Sequence, residues 1–179
     1  MKYDYPFTQE EADAAYDEWG CNCGPTSLAF ALQLKLDSVR HAIPGFEDKR
    51  YTSPSMMRSA LSMLGANWTV WPTCVDGKRT NAAMFADKIA LVRIQWTGPW
   101  TKPGANPKWA YRQTHWVCAW QVMQERGRDG EMKIFDLVFD CNSGITPFEE
   151  WKWEIVPLLT AAHPRADGGW FPTDVWRIR

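Results

Sequence analysis

The chain lacks the features that mark secreted, membrane or nucleic-acid-binding proteins. No apolar run approaches the ~20 residues that span a bilayer, and the N-terminal segment leads into an acidic stretch, unlike a signal peptide. Lysines and arginines form no run, and the formal net charge is −1. Five cysteines, an odd number, indicate free thiols in a reducing compartment. We therefore expect one cytoplasmic domain over residues 1–179, with no nucleic-acid or membrane partner.

Several catalytic and metal-binding signatures are also missing. There is no Gly-x-Ser-x-Gly sequence and no Walker-type phosphate loop. Cys21 and Cys23 lie one residue apart, which is not the Cys-x₂₋₄-Cys spacing of a zinc knuckle, and no second ligand pair follows. We therefore expect neither a metal nor another cofactor. Cys21 is interpreted as an inert neighbour of Cys23, or as its partner in a reversible, protective disulfide.

The stretch around Cys23 dominates what the sequence does contain. Residues 19–32 read Trp-Gly-Cys-Asn-Cys-Gly-Pro-Thr-Ser-Leu-Ala-Phe-Ala-Leu, a glycine-flanked loop that turns into a helix. Pro25 suits a first helical position, and leucines up to Leu36 recur at helical spacing, which predicts a helix from Pro25 to Leu36. Unpaired backbone N–H groups at a helix start favour a thiolate, the reactive form of cysteine. Cys23 is therefore a candidate nucleophile, and a small buried residue is the alternative.

The remaining pattern predicts helices followed by strands. Thr8 caps a predicted helix to Tyr16, and Ser53 caps a second helix with Pro54 in its first turn and Gly65 at its end. Thr146 and Glu149 form a predicted capping box. Strands are expected at residues 67–71, 89–96, 115–123, 132–140 and 174–178. The loop at 97–114 carries Trp100 and Trp109, and is interpreted as a groove wall or as a solvated insertion.

The third and fourth predicted strands form a hairpin whose register brings two polar residues together. If the turn is centred between Gly127 and Arg128, Trp116 lies opposite Phe139 and His115 lies opposite Asp140. The same register puts Cys118 opposite Leu137 and Trp120 opposite Phe135, so one face is apolar. A shift of two residues would instead bring Asn142 closer to His115.

Cys23, His115 and Asp140 supply complementary chemistry. A free thiol is mostly protonated at neutral pH, an imidazole can take its proton, and a carboxylate can orient that imidazole. Of the three histidines, His41 lies in a charged connection and His163 in a predicted turn. The alternatives are a capping role for His115 and a turn-forming role for Asp140.

These motifs resemble the papain-like cysteine peptidases, and most closely the group that cleaves bacteriocin leader peptides after a double glycine. The similarity is carried by Cys-Gly-Pro-Thr-Ser-Leu at 23–28, a second helix ending at Gly65, Thr-His-Trp-Val at 114–117, and Phe-Asp at 139–140 followed by Gly144 and residues 148–151. The resemblance implies an α+β fold, in which an N-terminal helical half carrying the nucleophile packs on an antiparallel sheet. It also implies that Cys23 attacks the carbonyl, that His115 is base and then acid, and that Asp140 orients His115, with Asn142 as the fallback orienting residue.

One position departs from the family. Asp17 stands where these peptidases carry the glutamine that stabilises the oxyanion, and an ionised carboxylate cannot donate a hydrogen bond. Asn22 is the candidate replacement donor, together with the Cys23 backbone N–H. Five residues are expected to contact the substrate: Trp19, Gly20, Trp100, Trp109 and Trp116.

The predicted function is that of a cysteine peptidase or isopeptidase that acts on a peptide or protein through an acyl-enzyme. A triad of this kind also suits an acyltransferase or deamidase, because all three pass through the same thioester. A non-catalytic papain-like module that binds a protein is the alternative from a different class. A compact, tryptophan-rich enzyme without an export signal fits a bacterial or a phage source.

Overall fold

The computed structural model describes residues 5–75, 78–111, 113–126 and 131–179. The fold is α+β, with most helices before residue 64 and a sheet built mainly from later residues. The α-helices are α1 (Gln9–Trp19), α2 (Cys23–Leu32), α3 (Leu36–Arg40), α4 (Phe46–Lys49), α5 (Pro54–Met63), α6 (Pro107–Ala110), α7 (Phe148–Glu150) and α8 (Val156–Ala161). The strands are β1 (Trp68–Trp71), β2 (Cys74–Val75), β3 (Lys78–Arg79), β4 (Ala90–Trp96), β5 (Thr114–Arg126), β6 (Glu131–Asp140), β7 (Gly144–Pro147) and β8 (Trp170–Ile178).

The main sheet has six antiparallel strands in the order β1-β8-β4-β5-β6-β7, and β2 and β3 form a separate pair. Both faces of its centre are covered, so every residue of β4 is buried. Leu91 enters the core that contains α2 and α5. Val92 and Ile94 enter a second core with Trp151, on the opposite face. No helix of the described ranges has the length and apolar character needed to cross a membrane.

The hairpin of β5 and β6 is shifted by two residues from the predicted register. Cys118 pairs with Phe139, and Trp120 pairs with Leu137. The predicted pairing was wrong because Arg126 pairs with Glu131, which centres the connection one residue later than assumed. The predicted turn at 127–130 lies outside the described residues. A two-residue shift keeps the same side chains on one face, so Trp116, Cys118, Trp120 and Phe139 share one core as expected.

Helix α2 begins two residues earlier than predicted, so Cys23 is itself the first helical residue. Asn22 occupies the N-cap position, and its carbonyl accepts bonds from both the backbone N–H and the hydroxyl of Thr26. Pro25 fits inside this first turn because backbone N–H groups there need no helical partner. The helix ends at Leu32, where Gln33 adopts a left-handed φ of 55°, and Leu36 belongs to the next helix.

The helix caps were predicted with mixed success. The capping box of Thr8 and Glu11 is present in α1, and Ser53 caps α5 with Pro54 in its first turn. The capping box at Thr146 was wrong, because Thr146 belongs to β7 and pairs with Val138. The helix instead begins at Phe148 and passes through a π-helical turn, Trp151–Ile155, before α8.

Gly24 marks a very close approach between α2 and the segment before α5. A Cβ atom added at Gly24 would lie 2.3 Å from Thr52 Oγ1 and 2.6 Å from Thr52 Cβ. We expect Gly24→Ala to lower the free energy of unfolding by about 1–3 kcal/mol, measured by chemical denaturation, because both segments belong to a packed core. In a double-mutant cycle, Gly24→Ala combined with Thr52→Gly should cost less than the sum of the single changes. Strict additivity would contradict the clash.

Candidate active site

Two hydrogen bonds fix α2 against β5 and so set the position of Cys23. Ser27 Oγ donates to the carbonyl of Trp116 at 3.0 Å, and Cys118 Sγ donates to the carbonyl of Ser27 at 3.0 Å. These contacts are one helical turn beyond Cys23 and directly follow His115 on β5. The start of the helix and the start of the strand are thereby held side by side.

Cys23 interacts with His115 and with the backbone N–H of Trp116. Burial alone would raise the pKa of the Cys23 thiol, and the Asp140 charge acts in the same direction. The charge and hydrogen bond of His115, with the N–H of Trp116, outweigh both and lower that pKa below its ordinary value. The position of Cys23 at a helix N-terminus favours the thiolate further.

His115 lies between Cys23 and Asp140. Its Nε2 donates to Asp140 Oδ2 at 3.0 Å, which leaves Nδ1 as the nitrogen available to the sulfur. The imidazole stacks on Trp96, with ring centroids 6.2 Å apart and planes 21° apart. Burial opposes the charged imidazole, but Asp140 and Cys23 raise the pKa of His115 well above its ordinary value. Both pKa shifts act in the direction of a thiolate–imidazolium pair.

Asp140 is fully buried and accepts four hydrogen bonds. Oδ2 accepts from His115 and from Trp151 Nε1, the latter at 2.9 Å, while Oδ1 accepts from the backbone and side-chain N–H groups of Asn142 at 2.9 Å each. Burial would raise the pKa of this carboxyl, but the charge of His115 and these hydrogen bonds lower it to about 2. Asp140 therefore contacts His115, and Asn142 holds Asp140 instead of contacting the imidazole.

The predicted contact between His115 and Asp140 is present, although the route to it differs. The paired residues of β5 and β6 end at Cys118 and Phe139, so His115 and Asp140 meet beyond the ladder and are not directly opposite. Trp151 was missed as a partner of Asp140. The sequence offered one signal, because the indole N–H of a buried tryptophan needs a hydrogen-bond acceptor. That requirement does not say which residue is the acceptor.

No protein-family model matches this chain, and neither does any curated protein.

Cys23 lies in the wall of a cavity of about 590 Å³, which we call the Cys23 cavity. Its lining residues are Cys21, Cys23, Lys49, Arg50, Tyr51, Thr52, Ser53, Arg93, Lys108, Tyr111, Thr114 and Trp116. The cavity is open to solvent along exposed residues such as Tyr51 and Tyr111, and Cys23 itself is partly exposed. A ligand in this space would reach the sulfur.

The five predicted substrate contacts lie in four different places. Trp116 lines the Cys23 cavity, whereas Trp100 and Trp109 line a neighbouring cavity of about 500 Å³. Trp19 lies in the core with its ring against Phe46, so its predicted place in a substrate groove is not supported. Gly20 ends α1 with a left-handed φ of 72° and does not line the Cys23 cavity.

Asn22, the candidate oxyanion donor, does not line the Cys23 cavity. Its Nδ2 donates to the carbonyl of Ala12 at 2.8 Å. Asn22 lines a third cavity, of about 300 Å³, together with Asp17 and Asn142. A side-chain amide has two N–H groups, so one remains after the bond to Ala12. The oxyanion role of Asn22 stays a prediction.

The other cysteines differ from Cys23 in their electrostatics. Burial and the neighbouring Cys23 raise the pKa of the Cys21 thiol to about 12. Burial also raises the pKa values of Cys118 and Cys141 well above the ordinary range. Among the described residues, Cys141 forms one potential ligand cluster with His115 and Asp140, but a metal requires the thiolate of Cys141. The cluster therefore suits the hydrogen-bonded imidazole–carboxylate pair better than a metal.

Proposed function

We propose that this protein is a papain-like cysteine peptidase or isopeptidase. The observation that supports this proposal is the line of contacts from the Cys23 thiol through the His115 imidazole to the buried Asp140 carboxylate. The pKa of the one thiol in this line is lowered, while those of Cys21, Cys118 and Cys141 are raised. A nucleophile, its base and the group that orients the base are the parts that acyl transfer requires.

In the proposed reaction, the Cys23 thiolate attacks the carbonyl carbon of the scissile bond and forms a C–S bond. The imidazolium of His115 gives its proton to the departing amine as the C–N bond breaks, which leaves a thioester on Cys23. Neutral His115 then takes a proton from water, whose oxygen attacks the thioester carbonyl. The C–S bond breaks, the acid product departs, and the thiolate–imidazolium pair is restored. Asp140 holds one tautomer of His115 throughout and stabilises its charged form.

A protein-binding module that has lost catalysis is the second candidate. Two observations favour it: Asp17 replaces the expected oxyanion donor, and the amide of Asn22 already donates to Ala12. This candidate needs neither a reactive thiol nor a cleaved substrate, so the two proposals predict different results in the same assay.

Incubation with a library of natural peptides tests the proposal. We expect wild-type protein to release new peptide termini, detected by mass spectrometry, and Cys23→Ala to release none because no acyl-enzyme can form. Conversion of glutamine to glutamate, or transfer of an acyl group to an added amine, would assign the same site to deamidation or transfer. A library left unchanged by wild-type protein, together with an ordinary Cys23 pKa, would contradict catalysis and favour the binding module.

A further inference from the structure

The Cys23 cavity carries charge of one sign. None of its described lining residues is an aspartate or a glutamate. Four of them are cationic: Lys49, Arg50, Arg93 and Lys108. The chain as a whole has a formal net charge of −1, so this concentration of cations does not follow from composition. The cations come from the end of α4 and the residue after it, from β4 and from α6. A concave site lined by one sign of charge attracts ligands of the opposite sign.

Arg93 is the buried member of this group. It is 7% exposed, and its Nη1 lies 3.6 Å from Asp174 Oδ2 and donates to Thr173 Oγ1 at 3.2 Å. Asp174 does not line the Cys23 cavity. Arg93 Nε has no hydrogen-bond partner among the described residues. A guanidinium has five N–H donors, so one long ion pair and one bond to Thr173 leave donors for an anion in the cavity that Arg93 lines.

Thr52 provides a second unpaired group among the residues that line the cavity. It is 8% exposed, and its hydroxyl has no hydrogen-bond partner among the residues described. The hydroxyl packs against Gly24, next to the nucleophile. Buried polar groups in native proteins are nearly always hydrogen-bonded, and here an unpaired hydroxyl and an unpaired guanidinium N–H belong to two residues that line the same cavity.

We propose that the Cys23 cavity receives a carboxylate of the substrate next to the bond that is cleaved. Arg93 is the specificity-determining residue, and Lys49, Arg50 and Lys108 attract the substrate. The position next to a cleaved bond rests on the proposed function, whereas binding of the carboxylate does not. A carboxylate can come from an acidic side chain within a peptide or from a chain terminus, and the following experiment distinguishes these sources.

Binding is measured with three probes of matched size by NMR of the tryptophan indole N–H groups. The probes are N-acetyl-glutamate amide with a side-chain carboxylate, N-acetyl-glutamine with a terminal carboxylate, and neutral N-acetyl-glutamine amide. Trp116 is the reporter, because it lines the cavity and its indole N–H donates to the carbonyl of Thr52 at 2.9 Å. We expect one carboxylate probe to bind about tenfold more tightly than the neutral probe, and more weakly at high salt.

Substitutions identify which charge is responsible. Arg93→Gln should remove the preference for the carboxylate, and Lys108→Gln should reduce it about two- to threefold, as expected for an exposed charge. Lys35→Gln, an exposed change remote from this cavity, is the matched control and should bind as wild type. If Arg93→Gln does not fold, the Lys49→Gln/Lys108→Gln double variant provides the same comparison. Equal binding of charged and neutral probes by wild-type protein would overturn the proposal.

This outcome is separable from the peptidase proposal. The NMR measurement does not depend on a reactive thiol, whereas alkylation of Cys23 by neutral iodoacetamide does. Carboxylate binding with an unreactive Cys23 would support the cavity assignment and contradict catalysis. A reactive Cys23 in a protein that shows no preference for the carboxylate probes would support catalysis and contradict the cavity assignment.

Discussion

Replacing His115 with alanine is expected to slow alkylation of Cys23 by iodoacetamide at pH 6 by about 10²-fold. A thiol of ordinary pKa, near 8.5, is only ~0.3% ionised at that pH. Cys23 has a lowered pKa chiefly because His115 offsets the effect of burial through its charge and hydrogen bond. Without the imidazole, burial and the Asp140 charge both raise the pKa of the thiol. The ionised fraction of Cys23 in His115→Ala should therefore be no larger than that of an ordinary thiol at the same pH.

The pH profile gives the sign of the effect. The wild-type rate should stay high as the pH falls below the ordinary thiol range, and should decline only through the lowered pKa of Cys23. In His115→Ala the alkylation rate should rise only as the pH increases through the ordinary pKa range of thiols and beyond it. Exposed Cys74 is an internal control, and His41→Ala removes an exposed histidine from a different segment. Superimposable Cys23 profiles for wild type and His115→Ala would disprove the pairing.

Asp140→Ala is expected to lower the free energy of unfolding by about 3–5 kcal/mol, the usual cost of breaking a buried charged pair. The change removes the acceptor of hydrogen bonds from His115, Trp151 and Asn142. Chemical denaturation at pH 7 measures the loss. Asp136→Ala is the matched control, because Asp136 is only partly buried and accepts one side-chain bond, from Gln121. A loss below 1 kcal/mol for Asp140→Ala would contradict the assigned network.

The contribution of Asp140 should also depend on pH. Its pKa is lowered from 3.8 to about 2 in the folded protein. A carboxyl with a lowered folded pKa stabilises the fold above its unfolded pKa, and this contribution is lost as the pH falls through the folded pKa. A shift of this size corresponds to about 2 kcal/mol. The stability gap between wild type and Asp140→Asn should therefore narrow between about pH 4 and pH 2.

Local signals explain why parts of the fold were predicted correctly from the sequence. Thr8 with Glu11, and Ser53 with Pro54, satisfy the first turn of a helix within a few residues, so their chemistry is visible in the sequence. The apolar face of the hairpin was also correct, because alternation survives a two-residue shift. Thr146 shows where local signals fail. Its sequence suits a helix cap, but Thr146 lies in β7, where pairing with Val138 of β6 satisfies its backbone hydrogen-bonding groups.

The site was partly predictable for a related reason. Cys23, His115 and Asp140 each lie at the end of an element, where local patterns identify chemistry-bearing residues. Trp151 and Arg93 act through contacts 11 residues or more away along the chain, with Asp140 and with Asp174 respectively. A tryptophan beside a glycine-rich loop suits either a groove or a core, and in the structure the ring of Trp19 packs against Phe46 in the core.

The place of β8 in the sheet constrains when the protein can fold during its synthesis. This strand, built from residues 170–178, lies between β1 and β4 in the interior of the sheet. The ribosome makes β1 and β4 long before it makes β8, so each of these strands exposes an unpaired edge until residues 170–178 emerge. The sheet that carries His115 and Asp140 is therefore complete only after residues 170–178 have been synthesised.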